Sequence, residues 1–161
     1  MPLSTTAVVR RVRELLASVD GVRAAYGPTE QAREGIPEAL SDFPCAVVWL
    51  GATKEYGSAN GGGGSNGGGY SGAHEHVYDV SVWIICAAAG ASERAAQGMP
   101  ILDAVLTKMA SNITLSGLVR WCLFQSQSGY GTLTYAGQEY LGYEMTFEVS
   151  EAAEVVVEGG E

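Results

Sequence analysis

Basic residues are scarce in this chain: nine lysines and arginines stand against eighteen aspartates and glutamates, for a formal charge of −9 and a pI near 4.6. A protein that grips phosphate backbones needs a positive surface, so the balance argues against nucleic-acid capture. Solubility, or repulsion of nucleic acid, fits it better. Cysteine is also sparse. Cys45, Cys86 and Cys122 each lie alone in an apolar, strand-like segment, with an odd total and no Cys-x-x-Cys spacing, which excludes a disulfide framework and a zinc ribbon and leaves reduced, buried, inert thiols. No apolar run reaches the ~18 residues of a membrane span. The opening Met-Pro-Leu-Ser-Thr-Thr has no basic region followed by an apolar block, so the expectation is neither a transmembrane helix nor a signal peptide, and synthesis in a cytoplasm. The Asn112-Ile113-Thr114 acceptor triplet carries no weight without a secretory signal.

Glycine, by contrast, is abundant: of 22 residues, nine lie between Gly57 and Ala73. A phosphate-cradling loop would end in Gly-Lys-Ser/Thr at a helix start; this stretch has no lysine and no helical pattern after it, which removes a nucleotide site. It reads as a long hairpin arm whose ends, as a random coil, would lie roughly 20–25 Å apart. Tyr70 is its one large side chain and its expected anchor against a neighbour.

The rest of the 161 residues can support a real core, since a domain of this size buries about 68–70% of its unfolded surface. The clearest element is the run from Leu133 to Val149. From Leu141 onward, Leu141, Tyr143, Met145, Phe147 and Val149 alternate with Gly142, Glu144, Thr146 and Glu148, the period of a strand with one buried face. Gly137 and Gly142 interrupt the longer run and predict bulges or close backbone approaches. Ser4, Thr5 and Thr6 precede Val8, Val9, Val12, Leu15, Leu16 and Val19, the stripe of an amphipathic helix ending near Gly21, with Arg10, Arg11 and Arg13 on its solvated side. Residues 26–42 lose all periodicity and read as a loop. Phe43 to Leu50 and His74 to Ala87 are apolar on both sides, hence strands wanting cover on both faces, with Pro44 at the start of the first. Ser92 caps a second helix that the spacing predicts to kink or break at Gly98 to Pro100 before Leu102, Val105, Leu106, Met109 and Ile113. Leu118 to Phe124 is the third strand, and Glu151, Glu154, Glu158 and Glu161 form an acidic tail over 151–161.

The order is therefore α-β-β-α-β-β. That predicts an α+β fold with a four-stranded, mainly antiparallel sheet and two helices packed on one face. The other face is left bare and apolar at strands one and two, which predicts a subunit interface and a homo-oligomer, with Trp49, Trp83 or Trp121 at its core.

That element order, the run Phe43-Pro-Cys-Ala-Val-Val48 before a long variable hairpin, Val77-Tyr-Asp-Val-Ser-Val82, and above all Tyr135-Ala-Gly-Gln-Glu-Tyr-Leu-Gly-Tyr143 resemble the tail terminator, or tail completion, proteins of long-tailed bacteriophages. The resemblance covers nearly the whole chain, so residues 1–150 would form one domain. It implies a non-enzymatic virion protein of the tail and neck, without cofactors: a ring, commonly a hexamer, that ends polymerisation of the tail tube protein and joins the tube to the head-completion or connector protein. DNA would pass through its hole without specific binding. An acidic ring suits such passage, and Glu144 and Glu148 on the outer side of the last strand, with the tail, are the expected DNA-repelling residues. The Gly-rich arm departs from the family pattern. Two other readings stand beside this one: a head-completion (stopper) ring of the neck, and a cytosolic oligomer or metal enzyme using His74 and His76, which alternate onto one strand face ~6.6–6.8 Å apart.

Overall fold

The computed structural model describes residues 5–27, 40–58, 71–88 and 95–156. Helix α1 (Thr5–Ala17) leads to strand β1 (Ala24–Tyr26). Strands β2 (Cys45–Ser58) and β3 (Ser71–Ala88) come next, then helix α2 (Ala95–Ala110) and strands β4 (Trp121–Gln127), β5 (Gly131–Tyr135) and β6 (Gln138–Val156). The fold is α+β as expected. The sheet, however, has six strands rather than four and is mixed, in the order β1-β2-β3-β6-β4 with β5 also on β6. β1 lies parallel to β2, and every other pairing is antiparallel.

Periodicity explains which face each residue takes. Val8, Val12, Leu15 and Leu16 of α1 and Ile101, Leu102, Val105 and Met109 of α2 share one core with Ala46, Val48, Tyr78, Val80, Val82, Ile84, Tyr143, Met145, Phe147 and Val149. Both helices therefore cover the same face. α2 runs unbroken through Pro100, against the expected break, because the proline sits near the helix start and removes only one bond there. Gly98 is needed for packing: a Cβ there would come within 2.6 Å of Cys86 Sγ and 2.8 Å of the Tyr143 ring, so α2 lies directly on β3 and β6.

The extra strands come from features with little period. β1 is three residues long. The single strand expected from Leu133 to Val149 is a hairpin: Ala136 (φ 51°) and Gly137 (φ 77°) form a two-residue turn between Tyr135 and Gln138, with the paired positive φ of a type I′ turn. Gly142 does mark a close approach. A Cβ there would overlap the Ile84 carbonyl oxygen, beside the bulge at Ile85/Ala87. Leu118 and Val119 belong to the connection before β4 rather than to a strand. Leu115, Ser116 and Gly117 all take positive φ there, and Leu115 is fully buried.

Two boundaries move as well. β2 continues past Leu50 through bulges to Ser58, and β3 starts at Ser71, so both ends of the supposed arm are paired strand: Gly57 faces Glu75 and Ser58 faces His74. Residues 59–70, Tyr70 among them, lie outside the described residues. β6 continues to Val156, its last six residues pairing with Ser71–His76, so the expected acidic tail begins as strand.

Candidate functional site

The second face of the sheet divides into two halves of different chemistry. Its apolar half gathers Leu40, Cys45, Val47, Ile85 and Tyr140, with Phe43, Trp49, Trp83, Leu133 and Tyr135 packed against them. The β5–β6 hairpin and residues 40–43 supply this cover. Tyr140 joins them: its hydroxyl accepts from the Leu40 N–H at 3.1 Å and donates to Gln138 Oε1 at 3.1 Å, and its ring lies 6.0 Å from Phe43. The expectation of a bare apolar face is thus corrected at this end, because chain distant in sequence folds over it.

Trp49 and Trp83 sit in that cover, their ring centroids 5.5 Å apart, and Tyr135 lies 5.8 Å from Trp49. Trp83 Nε1 donates to Glu144 Oε2 at 2.8 Å. Trp49 Nε1 is buried with no hydrogen-bond partner among the described residues. Trp121 stands apart on β4, opposite Ser150 and half-buried. The structure brings together two of the three tryptophans, as parts of one intramolecular cluster.

The polar half carries Glu75, Asp79, Ser81, Thr146, Glu148 and Ser150, alternating with the core residues of β3 and β6. Lys54 bridges it, with Nζ 2.9 Å from Glu148 Oε2 and 3.3 Å from Asp79 Oδ1; the longer contact is ionic, and Asp79 Oδ1 has no hydrogen bond among the described residues. The hydrogen bond to Glu148, then the contact with Asp79, hold the Lys54 ammonium above its ordinary range. Gly51 makes room, since a Cβ there would come within 2.8 Å of the Asp79 carbonyl oxygen. Glu75 accepts from Ser150 Oγ at 2.7 Å and lies 3.5 Å from Arg120 Nη1. Glu144 and Glu148 therefore share this face as expected, each engaged by an intramolecular donor.

On the helix face, at the end of the apolar core, Tyr78 is fully buried and donates to Glu151 Oε2 at 2.9 Å. Burial first, then the Glu151 charge, push the Tyr78 hydroxyl far up. Glu151, read from sequence as tail, is 4% exposed. His76 stacks on Tyr78 with centroids 4.5 Å apart, and its Nε2 lies 3.1 Å from Thr53 Oγ1. The side chain of His74 lies outside the described residues. Among the described residues no three histidine, cysteine, aspartate or glutamate side chains converge as metal ligands. Burial pushes the thiols of Cys45 and Cys122 up to about 12 and raises that of Cys86, so none is a ready nucleophile.

A further feature had no period to announce it. Leu106, Met109, Ala110 and Ile113, from α2 and the turn after it, face Leu123 and Phe124 of β4 across an open apolar groove of about 440 Å³, with Cys122 and Phe147 at its floor. Ile113, Leu123 and Phe124 are 41–44% exposed. Among the described residues no helix is long and apolar enough to cross a membrane. Neither the protein-family models nor the curated protein sequences compared with this chain give a match.

Proposed function

We propose that this chain is a structural virion protein, a tail-terminator-like subunit. Copies close into a ring, a hexamer by the family resemblance, that caps the phage tail tube and joins it to the head-completion or connector protein. The observation that carries the reading is the polar half of the second sheet face. Among the described residues, Glu75, Asp79, Glu144 and Glu148 share it with Lys54 and Arg120 as the cations, a surface of net negative charge built on strands. Turned toward a central hole, such a face lets DNA pass without adhering, since phosphate is repelled rather than paired. The two helices on one face of a sheet built around the β2–β3 pair support the same reading, as does a chain charge of −9. In this reading the tail tube and the connector are protein partners, DNA is only a passenger, and no cofactor or reaction is involved. The test is a phage lacking the chain's gene. Electron microscopy should show full heads and separate tails whose tubes vary in length, restored to joined particles by the gene in trans; joined, infectious particles at normal yield without it refute the proposal.

A further inference from the structure

Where α1 ends beside the last turns of α2 there is an open polar groove of about 400 Å³, lined chiefly by Ser18, Asp20, Thr107, Lys108, Ser111 and Asn112. We infer that it binds a small zwitterion with a guanidinium at one end and a carboxylate at the other, free arginine being the simplest. One copy of the chain supplies every group, so the site stands or falls independently of the ring.

The neutral polar groups of the groove already give protons to their own chain. Ser18 Oγ donates to the Leu15 carbonyl at 2.6 Å, Thr107 Oγ1 to that of Asp103 at 2.9 Å and Ser111 Oγ to that of Thr107 at 2.9 Å; Asn112 Nδ2 donates to the Lys108 carbonyl at 2.8 Å. The helix ends explain most of these bonds. α1 stops at Ala17 and α2 at Ala110, and the last carbonyls of a helix have no intrahelical N–H, so Ser18, Ser111 and Asn112 satisfy them. What remains for a ligand is almost entirely acceptors: hydroxyl oxygens, the Asn112 amide oxygen and the Asp20 carboxylate. Both helices also turn their C-terminal ends, which carry partial negative charge, toward the groove.

Acceptors around one carboxylate suit a cation rich in N–H groups. A guanidinium offers five N–H donors and no acceptor. A polyol would need donors that the lining lacks, and a metal ion would need converging ligands, which no three histidine, cysteine, aspartate or glutamate side chains provide among the described residues. Lys108 sets the other end of the ligand. Neither Lys108 nor Asp20 takes part in an ion pair among the described residues, so a carboxylate can meet the ammonium while the guanidinium meets Asp20. Val19 and Ala104 complete the lining and give the methylenes between the two charges an apolar contact.

Calorimetric titration of the full chain with arginine, and with agmatine, which has an ammonium group but no carboxylate, tests the site. Asp20 is exposed and Lys108 only half-buried, so Asp20→Asn and Lys108→Met should melt like the wild type. The wild type should bind one arginine per chain. Asp20→Asn should weaken arginine and agmatine alike, by about tenfold or more, through loss of a charge-assisted hydrogen bond. Lys108→Met should weaken arginine but tighten agmatine, because the lysine attracts a carboxylate and repels a second ammonium. Arginine that gives no saturable heat up to ~10 mM, or that binds either variant as tightly as the wild type, overturns the site. So does an agmatine affinity that falls together with that of arginine in Lys108→Met.

Discussion

Tyr78→Phe removes one hydroxyl from the helix face and is the sharpest probe of how the far end of the sheet is held. Tyr78 is fully buried on β3, and its O–H donates to Glu151 Oε2 on β6 at 2.9 Å, with Glu151 only 4% exposed. Phenylalanine keeps the ring against His76 and the core, so packing is nearly unchanged; the loss is the hydrogen bond to a carboxylate drawn out of water. Hydrogen bonds to charged groups contribute about 1.5–3 kcal/mol, and burial puts this one toward the upper end. At about 2–4 °C per kcal/mol for a chain of this size, Tm should fall by about 3–12 °C. Urea unfolding followed by tryptophan fluorescence should show a lower midpoint with the slope unchanged. Glu151→Gln, which keeps an acceptor, should lose less than Tyr78→Phe. If Tyr78→Phe is within about 0.5 kcal/mol of wild type, the β3–β6 extension is held by its backbone ladder alone, and the pair is incidental.

Gly98→Ala should destabilise by about 1–3 kcal/mol, since its methyl must displace Cys86 Sγ or the Tyr143 ring; a melting curve unchanged within error contradicts the direct seating of α2 on the sheet. Cys45 and Cys122 should label with a thiol reagent at pH 8 only at the rate of unfolding, because burial raises both to about 12. Their linkage has a definite sign: above the ordinary thiol value of 9.0 the unfolded chain releases protons that the folded chain retains, so stability should fall as pH rises past that point. Glu144→Lys with Glu148→Lys should slow DNA passage during ejection or packaging, measured as infectivity against a control for Tm, because the change also breaks the Trp83 and Lys54 contacts; unchanged infectivity in a folded double variant argues that this face is not turned to the hole.

Much of the frame was legible in the residues. The alternation from Leu141 to Val149, the valine and leucine stripe of α1 and the apolar strands around Val47 and Val82 found their places, because each has a period that burial of one face enforces. What escaped had no period or a misleading one. Ala136-Gly137 looks like an interruption in a strand and is a turn. Leu118 and Val119 look like strand and belong to a connection whose positive-φ run, from Leu115 to Gly117, pattern alone does not signal. The cover on the second face depends on Leu40 meeting Tyr140, residues distant along the chain, which no local reading could supply. For the same reason the residues alone do not show that Trp49 and Trp83 meet while Trp121 stands apart, or that Glu151, expected in the acidic tail, is held in the interior by Tyr78. The α2–β4 groove was invisible because Leu123 and Phe124 read as ordinary strand residues, and their exposure depends on what does not pack against them.

Electron microscopy of the purified chain mixed with tail tubes from the same phage tests the ring-and-cap proposal most directly. The proposal predicts a ring bound at one end of each tube, the end that meets the head, with further tube growth halted there. Tubes that keep elongating with bare ends in excess chain, or that carry the protein along their sides, would contradict it.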